Sequence, residues 1–197
     1  MKSGGKTFGF TLLEMLVSVA IFTIATFIIM VTLFSVINAQ RKVVALQNAD
    51  DNLRFAFEVM AKEIRTGGNF HCGLNLNDVS ITPQNCPSGG VSFTFQNALN
   101  QAVTYQINQN QLVKSSNGTR PCDGAPAPAE DCLRLTAPAV VIVDRLAFYA
   151  NGTGSFDGEQ SRVTIVIEGQ VQDPRGIGVA RINLQNTVSK RGRIDLP

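Results

Sequence analysis

Glu14 is the residue whose type and position most need a chemical explanation. It stands at the start of a long apolar segment, since no residue from Met15 to Gln40 is charged. A helix needs roughly 20 apolar residues to cross a bilayer core, so this segment is long enough. An ionised carboxylate buried there costs about 2.5 kcal/mol or more unless a cation or a task compensates. Glu14 is therefore a candidate functional residue.

A short basic leader precedes the apolar segment. It carries Lys2 and Lys6 and ends at Gly9, directly before Phe10. A secretory signal peptide has the opposite order, with the apolar region first and a small-residue cleavage site after it. No such site follows Ile37. The order of parts favours processing ahead of the apolar segment.

The sequence GFTLLE at residues 9–14 resembles the N-terminus of type IV pilins and type II secretion pseudopilins. The resemblance implies cleavage between Gly9 and Phe10 by a prepilin peptidase, methylation of the new N-terminus at Phe10, and an assembly role for Glu14. It also implies the α+β pilin lollipop. In that fold a long N-terminal helix, transmembrane in its first half, packs on an antiparallel β-sheet.

The same resemblance implies three parts of the chain. Residues 1–9 are the leader peptide, and residues 10–40 are the hydrophobic transmembrane and assembly helix. Residues 41–197 are a periplasmic or extracellular globular domain that includes the second half of the helix. The chain would span the inner (cytoplasmic) membrane once, with its N-terminus inside, and then enter a pilus or pseudopilus. The leader lysines agree with this orientation, whereas Arg41 and Lys42 oppose it.

Two explanations of Glu14 remain open at this stage. In the first, suggested by the family, the carboxylate pairs with the methylated, protonated amine of Phe10 on the same or a neighbouring subunit, and the pair helps to dock subunits. In the second, Glu14 lies at the headgroup boundary near a helix N-terminus, where acidic residues are favoured in any case.

The four cysteines all follow the apolar segment. They are Cys72, Cys86, Cys122 and Cys132. An even number in an exported domain predicts two disulfides, for which three pairings are possible. We favour the local pairs, Cys72 with Cys86 and Cys122 with Cys132, because each closes a loop poor in apolar residues. A zinc site is disfavoured, because no cysteine spacing is of the C-x-x-C type.

The sequence has few residues arranged for catalysis or for binding a cofactor or metal. His71 is the only histidine, and no nucleophile motif or phosphate-binding loop is present, so we expect no enzyme and no cofactor. The loop around Asp157 could offer calcium several oxygen ligands. These are Asn151, Thr153, Ser155, Asp157 and Glu159. Their spacing is not that of an EF-hand, and we favour an ordinary turn.

The charge pattern gives little support for nucleic acid as a partner. Of 17 basic residues, the leader holds two, which leaves 15 basic and 15 acidic residues in the mature chain. The C-terminal region is basic through Arg175, Arg181, Lys190, Arg191 and Arg193. No aromatic residue interleaves with these bases to stack on nucleotides, so a solvated or subunit-contacting surface is favoured.

A second helical pattern continues beyond the apolar segment. From Arg41 to Arg65 there is no proline or glycine, and apolar residues recur every three or four positions. These residues are Leu46, Ala49, Leu53, Phe57, Met60 and Ile64. The pattern predicts a helix lying on a sheet, ended by Gly67-Gly68 as a C-cap. The whole helix would run from about Phe10 to Thr66, about 85 Å at 1.5 Å per residue.

The rest of the chain alternates short strands with loops. The region from Cys72 to Gly90 is predicted to be loop. Residues 91–96, 102–108, 111–115, 133–136, 140–149, 162–172 and 182–188 are predicted strands, the second and third forming a hairpin. One antiparallel meander packed on one helix is an α+β arrangement.

The stretch NADDNLRFAFEVMAKEIRTGGNFHCG, residues 48–73, resembles PilW-type minor pilins and, through a related pattern, J-type pseudopilins. The first resemblance implies a minor pilin that assembles or primes a type IV filament with other pilins. PilW-type chains are usually considerably longer than these 197 residues, so a J-type pseudopilin of a type II secretion system stays open. A membrane-tethered module that binds DNA or a surface is the third alternative.

Overall fold

The computed structural model describes residues 9–73, 82–116, 122, 132–154, 158–171 and 180–191. The predicted leader up to residue 8 lies outside them, as do Ser155, Asp157, Arg175 and Arg193. Within the described residues there are one helix, α1, and eight strands, β1 to β8. The chain divides into two compact units between Val43 and Val44. The fold is α+β, as predicted.

Helix α1 runs from Leu12 to Thr66 and is 55 residues long. It begins two residues after the predicted start at Phe10. The Thr11 hydroxyl accepts a hydrogen bond from the backbone N–H of Glu14 at 3.3 Å, which caps the helix. An N-cap residue stands outside the helical conformation, so the helix begins at the next position.

The end of α1 at Thr66 is as predicted, but its cause is different. The two glycines that follow do not adopt the left-handed conformation of a helix C-cap; Asn69 does, with φ of 53°. A Cβ on Gly67 would lie 2.5 Å from the Phe95 ring and 2.8 Å from the Gln96 carbonyl oxygen. Gly67 is therefore required by close packing against the sheet rather than by its own φ.

In the unit before Val44, the apolar side chains of α1 are exposed. Phe22 is 71% exposed, Phe27 70% and Ile29 67%. By length and composition, α1 is long and apolar enough to cross a membrane. These features are compatible with a single-pass membrane anchor.

In the unit after Val43, one stripe of α1 is buried. The stripe consists of Ala49, Leu53, Ala56, Phe57, Met60, Ala61 and Ile64. Leu46 packs against the same core and is partly buried. The three- and four-residue spacing thus identified the face that packs on the sheets.

The first sheet is an antiparallel meander of five strands in chain order. They are β1 (Gly68–Cys72), β2 (Phe93–Gln96), β3 (Ala102–Asn108), β4 (Gln111–Ser115) and β5 (Cys132–Arg134). The predicted hairpin is β3–β4, with Asn108 opposite Gln111. Gln109 and Asn110 both have positive φ, 49° and 61°, as a two-residue type I′ turn requires.

The second sheet is an antiparallel meander of three longer strands. They are β6 (Val141–Asn151), β7 (Arg162–Val171) and β8 (Ala180–Ser189). The predicted single meander is therefore divided after β5. The aromatic rings show why: Phe93 of β2 stacks on Phe148 of β6 with centroids 5.1 Å apart, so both sheets fill one core.

Strand β1 was not predicted. A glycine precedes the strand and another follows it, and within the strand only Phe70 is buried. A five-residue segment with one buried side chain carries no alternating apolar pattern. It becomes a strand because its backbone pairs with β2, where Cys72 lies opposite Phe93.

Candidate processing and assembly site

The first turn of α1 positions Glu14. Thr11 and Glu14 form the T-x-x-E spacing of a capping box, a signal that the sequence analysis did not use. The backbone N–H of Glu14 bonds to Thr11, and its side chain is exposed. The positive end of the helix dipole favours a carboxylate at this place. An exposed carboxylate in the first turn fits both explanations of Glu14, the local one and the docking one.

Gly9 and Phe10 precede the helix and are accessible. Phe10 is 77% exposed. A Cβ built on Gly9 would meet nothing within 4 Å. Both residues are thus exposed with respect to the part of the chain that the structure describes.

The hydroxyls of the apolar segment bond within the helix. Ser18 donates to the Glu14 carbonyl at 2.8 Å, Thr26 to the Phe22 carbonyl at 2.8 Å, and Thr32 to the Ile28 carbonyl at 2.8 Å. Each donor is one turn after its acceptor, so these hydroxyls are satisfied inside an apolar environment without a second helix.

Residues 5–30 match the prokaryotic N-terminal methylation motif. The matched range includes Gly9, Phe10, Glu14 and the first part of α1. It supports a type IV pilin or pseudopilin, a kind of protein that is typically structural and that assembles with other pilins after processing by a prepilin peptidase. Neither curated proteins nor solved structures gave a match to the chain.

The structure has two disulfides, and they join the locally spaced cysteines. Cys72 bonds to Cys86, 14 residues away, and Cys122 bonds to Cys132, 10 residues away. These are the two pairs that the sequence analysis favoured. Cys72 and Cys86 pack against the main core, whereas Cys122 and Cys132 form a small separate cluster with Val113. Each bridge thus ties a loop to a different part of the fold.

The candidate calcium loop is only partly described, since Ser155 and Asp157 fall outside the described residues. The Thr153 hydroxyl and N–H both donate to the Asn85 side-chain oxygen, at 2.9 and 3.0 Å. Gly152 has a φ of 64°, as in a tight turn. Among the described residues, no three His, Cys, Asp or Glu side chains group as metal ligands would.

A polar contact between α1 and the first sheet was not predicted. The Glu63 carboxylate accepts a hydrogen bond from the Tyr105 hydroxyl at 2.7 Å and an ion-paired one from the Lys114 ammonium at 2.5 Å. Burial raises the pKa of the Tyr105 phenol, and the neighbouring Glu63 carboxylate raises it further. Their separation by 42 and 51 residues in the chain left no local pattern to detect.

Proposed function

We propose that the chain is a minor pilin, a subunit that joins or primes a type IV filament without catalysis of its own. The observation that carries the proposal is the methylation motif at residues 5–30, placed over the start of an exposed apolar helix. The 26 positions from Met15 to Gln40 are all uncharged, and the exposed apolar side chains among them require lipid or other apolar helices around them. A filament of packed helices supplies such surroundings once the subunit leaves the membrane.

In this proposal, a prepilin peptidase removes residues 1–9 and the amine of Phe10 is then methylated. Gly9 stands directly before Phe10, inside the matched motif, where the resemblance implies cleavage. Before assembly the subunit stays in the inner membrane, with its N-terminus on the cytoplasmic side and the unit after Val43 outside. The oxidising conditions there suit the two disulfides.

Glu14 would then serve docking. Its carboxylate is exposed at the helix start, four residues after the charged N-terminus that cleavage creates at Phe10. In an apolar surrounding, opposite charges attract strongly and an unpaired charge is costly. Pairing Glu14 with the methylated amine of the same or a neighbouring subunit would therefore fix the depth at which a subunit enters the filament.

Mass spectrometry of the protein extracted from membranes tests the processing step. We expect Phe10 to be the first residue and to carry one methyl group, and the intact leader to persist in cells lacking prepilin peptidase. An N-terminus near residue 40 would instead indicate a conventional signal peptide and would overturn the proposal.

A J-type pseudopilin is the second candidate, because such pseudopilins share a pattern related to the one at residues 48–73. A subunit of a type IV pilus and a subunit of a type II secretion system would have the same kind of helix and domain but would contact different partner subunits. Photo-crosslinking from an exposed position such as Phe55, 58% exposed, followed by identification of the captured subunits, separates them. Capture of type II secretion subunits would replace the minor pilin assignment.

A tethered nucleic-acid-binding module is the third candidate, and the basic residues near the C-terminus are its only support. An electrophoretic mobility assay with the detergent-solubilised full chain tests it. We expect no shift of duplex DNA at physiological salt.

A further inference from the structure

A groove of about 760 Å³ separates the second half of α1 from β8. Apolar residues of both elements line it: Phe57 and Ala61 of α1 and Leu184 of β8. All residues that line the groove follow Val43, so it belongs to the second unit alone. It contains none of the residues assigned above to processing or docking, and the inference goes beyond the proposed function.

Basic side chains dominate the walls of the groove. Arg54, Lys62 and Arg65 contribute from α1 and Arg191 from the segment after β8, against one acidic residue, Glu58. The Arg191 backbone N–H donates to the Arg65 carbonyl at 2.7 Å, which joins the segment after β8 to the end of α1. The lining residues therefore carry an excess of positive charge, which attracts an anionic partner.

Most of these cations lack a counter-ion. Arg54 is paired with Asp50 at 2.6 Å. Within the part of the chain that the structure describes, the Lys62, Arg65 and Arg191 side chains have no ion-pair partner. The groove therefore offers three available positive charges beside an apolar floor.

Among the residues that the structure describes, β8 has a regular outer edge with no strand paired to it. β8 ends the second sheet, and its ten residues pair with β7 in an unbroken register from Ala180 to Ser189. Considering only described residues, no backbone hydrogen bond joins β8 to anything but β7. Proteins usually protect such an edge with bulges, prolines or several charges. β8 has no bulge and no proline, and Arg181 is its only charged residue.

We propose that this groove receives an extended acidic segment of a partner protein, which adds a strand to β8 and directs carboxylates at Lys62, Arg65 and Arg191. Alternate residues of a strand point to the same side, so acids at every second position would face the cations. The backbone of the segment would satisfy the free N–H and C=O groups of β8. A nucleic acid would use the charges but not the strand edge, and the one aromatic residue in the groove, Phe57, is only 6% exposed and cannot stack on a base.

Fluorescence polarisation with the full chain in detergent micelles tests the proposal. The probe is a labelled eight-residue peptide in which glutamate alternates with valine, and we expect saturable binding. Two matched peptides separate the contributions. Replacing each glutamate by glutamine removes the charges, and methylating the backbone amides of either the glutamates or the valines blocks one strand edge.

The expected results are specific. The glutamine peptide should bind at least tenfold more weakly, and one of the two methylated peptides should lose binding while the other keeps it, because a strand pairs through one edge. The double variant Lys62→Gln, Arg65→Gln should lower the affinity for the glutamate peptide about tenfold, since each exposed ion pair contributes up to about fivefold. Arg134→Gln, which removes an exposed charge on β5, is the matched control and should change nothing.

Three outcomes would overturn the proposal. The first is equal affinity for the two methylated peptides. The second is that Arg134→Gln weakens binding of the glutamate peptide as much as Lys62→Gln with Arg65→Gln does. The third is that an equally charged single-stranded oligonucleotide displaces the labelled peptide at a lower concentration than the unlabelled peptide does. Loss of Phe10 processing or of filament entry would leave these results unchanged, so failure of the pilin assignment and failure of the groove assignment are separable.

Discussion

At the residue scale, two glutamates of α1 show how position determines the role of a carboxylate. Glu14 is exposed in the first turn, where the N-cap and the helix dipole favour it without any partner. Glu63 is half-buried near the other end, and the Tyr105 hydroxyl and Lys114 ammonium both bind it. The Glu14 carboxylate is therefore exposed at the helix start, whereas the Glu63 carboxylate joins α1 to the first sheet.

Glu14→Gln separates docking from a purely local role. The variant keeps the shape and removes the charge, so we expect normal processing and membrane insertion but loss of co-assembly with other pilins in crosslinking or filament preparations. Asp51→Asn, an exposed change on the same helix and outside the basic groove, is the control. Wild-type assembly of Glu14→Gln would show that the carboxylate has only its helix-end role.

Glu63→Gln should lower the free energy of unfolding by roughly 2 kcal/mol, since hydrogen bonds to a charged group contribute about 1.5 to 3 kcal/mol and Lys114 would lose its partner. Glu58→Gln should stay within about 0.5 kcal/mol of wild type, as exposed substitutions do. Urea unfolding followed by circular dichroism measures both. Equal effects would mean that the contact between α1 and the sheet contributes nothing.

Because of Tyr105, the free energy of unfolding should fall in alkali. Its pKa in the folded chain is raised above the ordinary value of about 10, first by burial and then by Glu63. The unfolded chain therefore releases the proton first, and stability falls as the pH rises above about 10, by at most about 1.4 kcal/mol per pH unit. Tyr149→Phe leaves Tyr105 as the only tyrosine, so its ultraviolet absorbance should show tyrosinate only upon unfolding; tyrosinate in the folded state would contradict this.

At the element scale, the junction of α1 with β1 depends on two adjacent glycines with different surroundings. The space beside Gly67 is filled by Phe95 and the Gln96 carbonyl. A Cβ on Gly68 would lie 3.6 Å from the Lys190 ammonium, which is the end of a flexible side chain. The close approach of helix and sheet thus rests on one of the two glycines.

Gly67→Ala should therefore destabilise the fold by about 1 to 3 kcal/mol, the usual range for an overpacked core. Gly68→Ala is the matched control and should have an effect near zero, since neither glycine has a positive φ. Thermal unfolding of the two variants gives the comparison. Similar shifts would indicate that backbone flexibility, and not the contact with Phe95, matters at this junction.

At the scale of the whole molecule, two antiparallel sheets share one hydrophobic core with the second half of α1. The Cys72–Cys86 disulfide packs against that core, and the Cys122–Cys132 disulfide lies in a separate small cluster. The two bridges should therefore be removable independently, because sites without shared partners usually have additive effects.

Replacing either cysteine pair by serines should cost up to about 3 kcal/mol, the chain-entropy value for loops of this length. The loss of stability on removing both bridges should equal the sum of the losses on removing each one. Non-reducing peptide mapping of the exported protein should recover the two local bridges. A peptide linking Cys72 or Cys86 to Cys122 or Cys132 would contradict the pairing.

The sequence by itself determined the features that short patterns encode. The apolar spacing with no proline or glycine predicted α1 to its last residue, and alternation with turn residues predicted strands β3 and β4 at their observed bounds. The motif at Gly9, Phe10 and Glu14 is equally local, whereas the sequence left three disulfide pairings open and only favoured the two that the structure has. Such features depend on neighbours a few residues away, which a sequence shows directly.

Only the tertiary structure decided the features that depend on distant partners. β1 is a strand because β2 lies beside it, and the meander divides because Phe93 and Phe148 fill the same core from two sheets. Glu63 meets Tyr105 and Lys114, and the basic groove forms, only once α1 lies against the sheets. The physical reason is that a side chain's type fixes which contacts it can make, whereas packing fixes which partner is within reach.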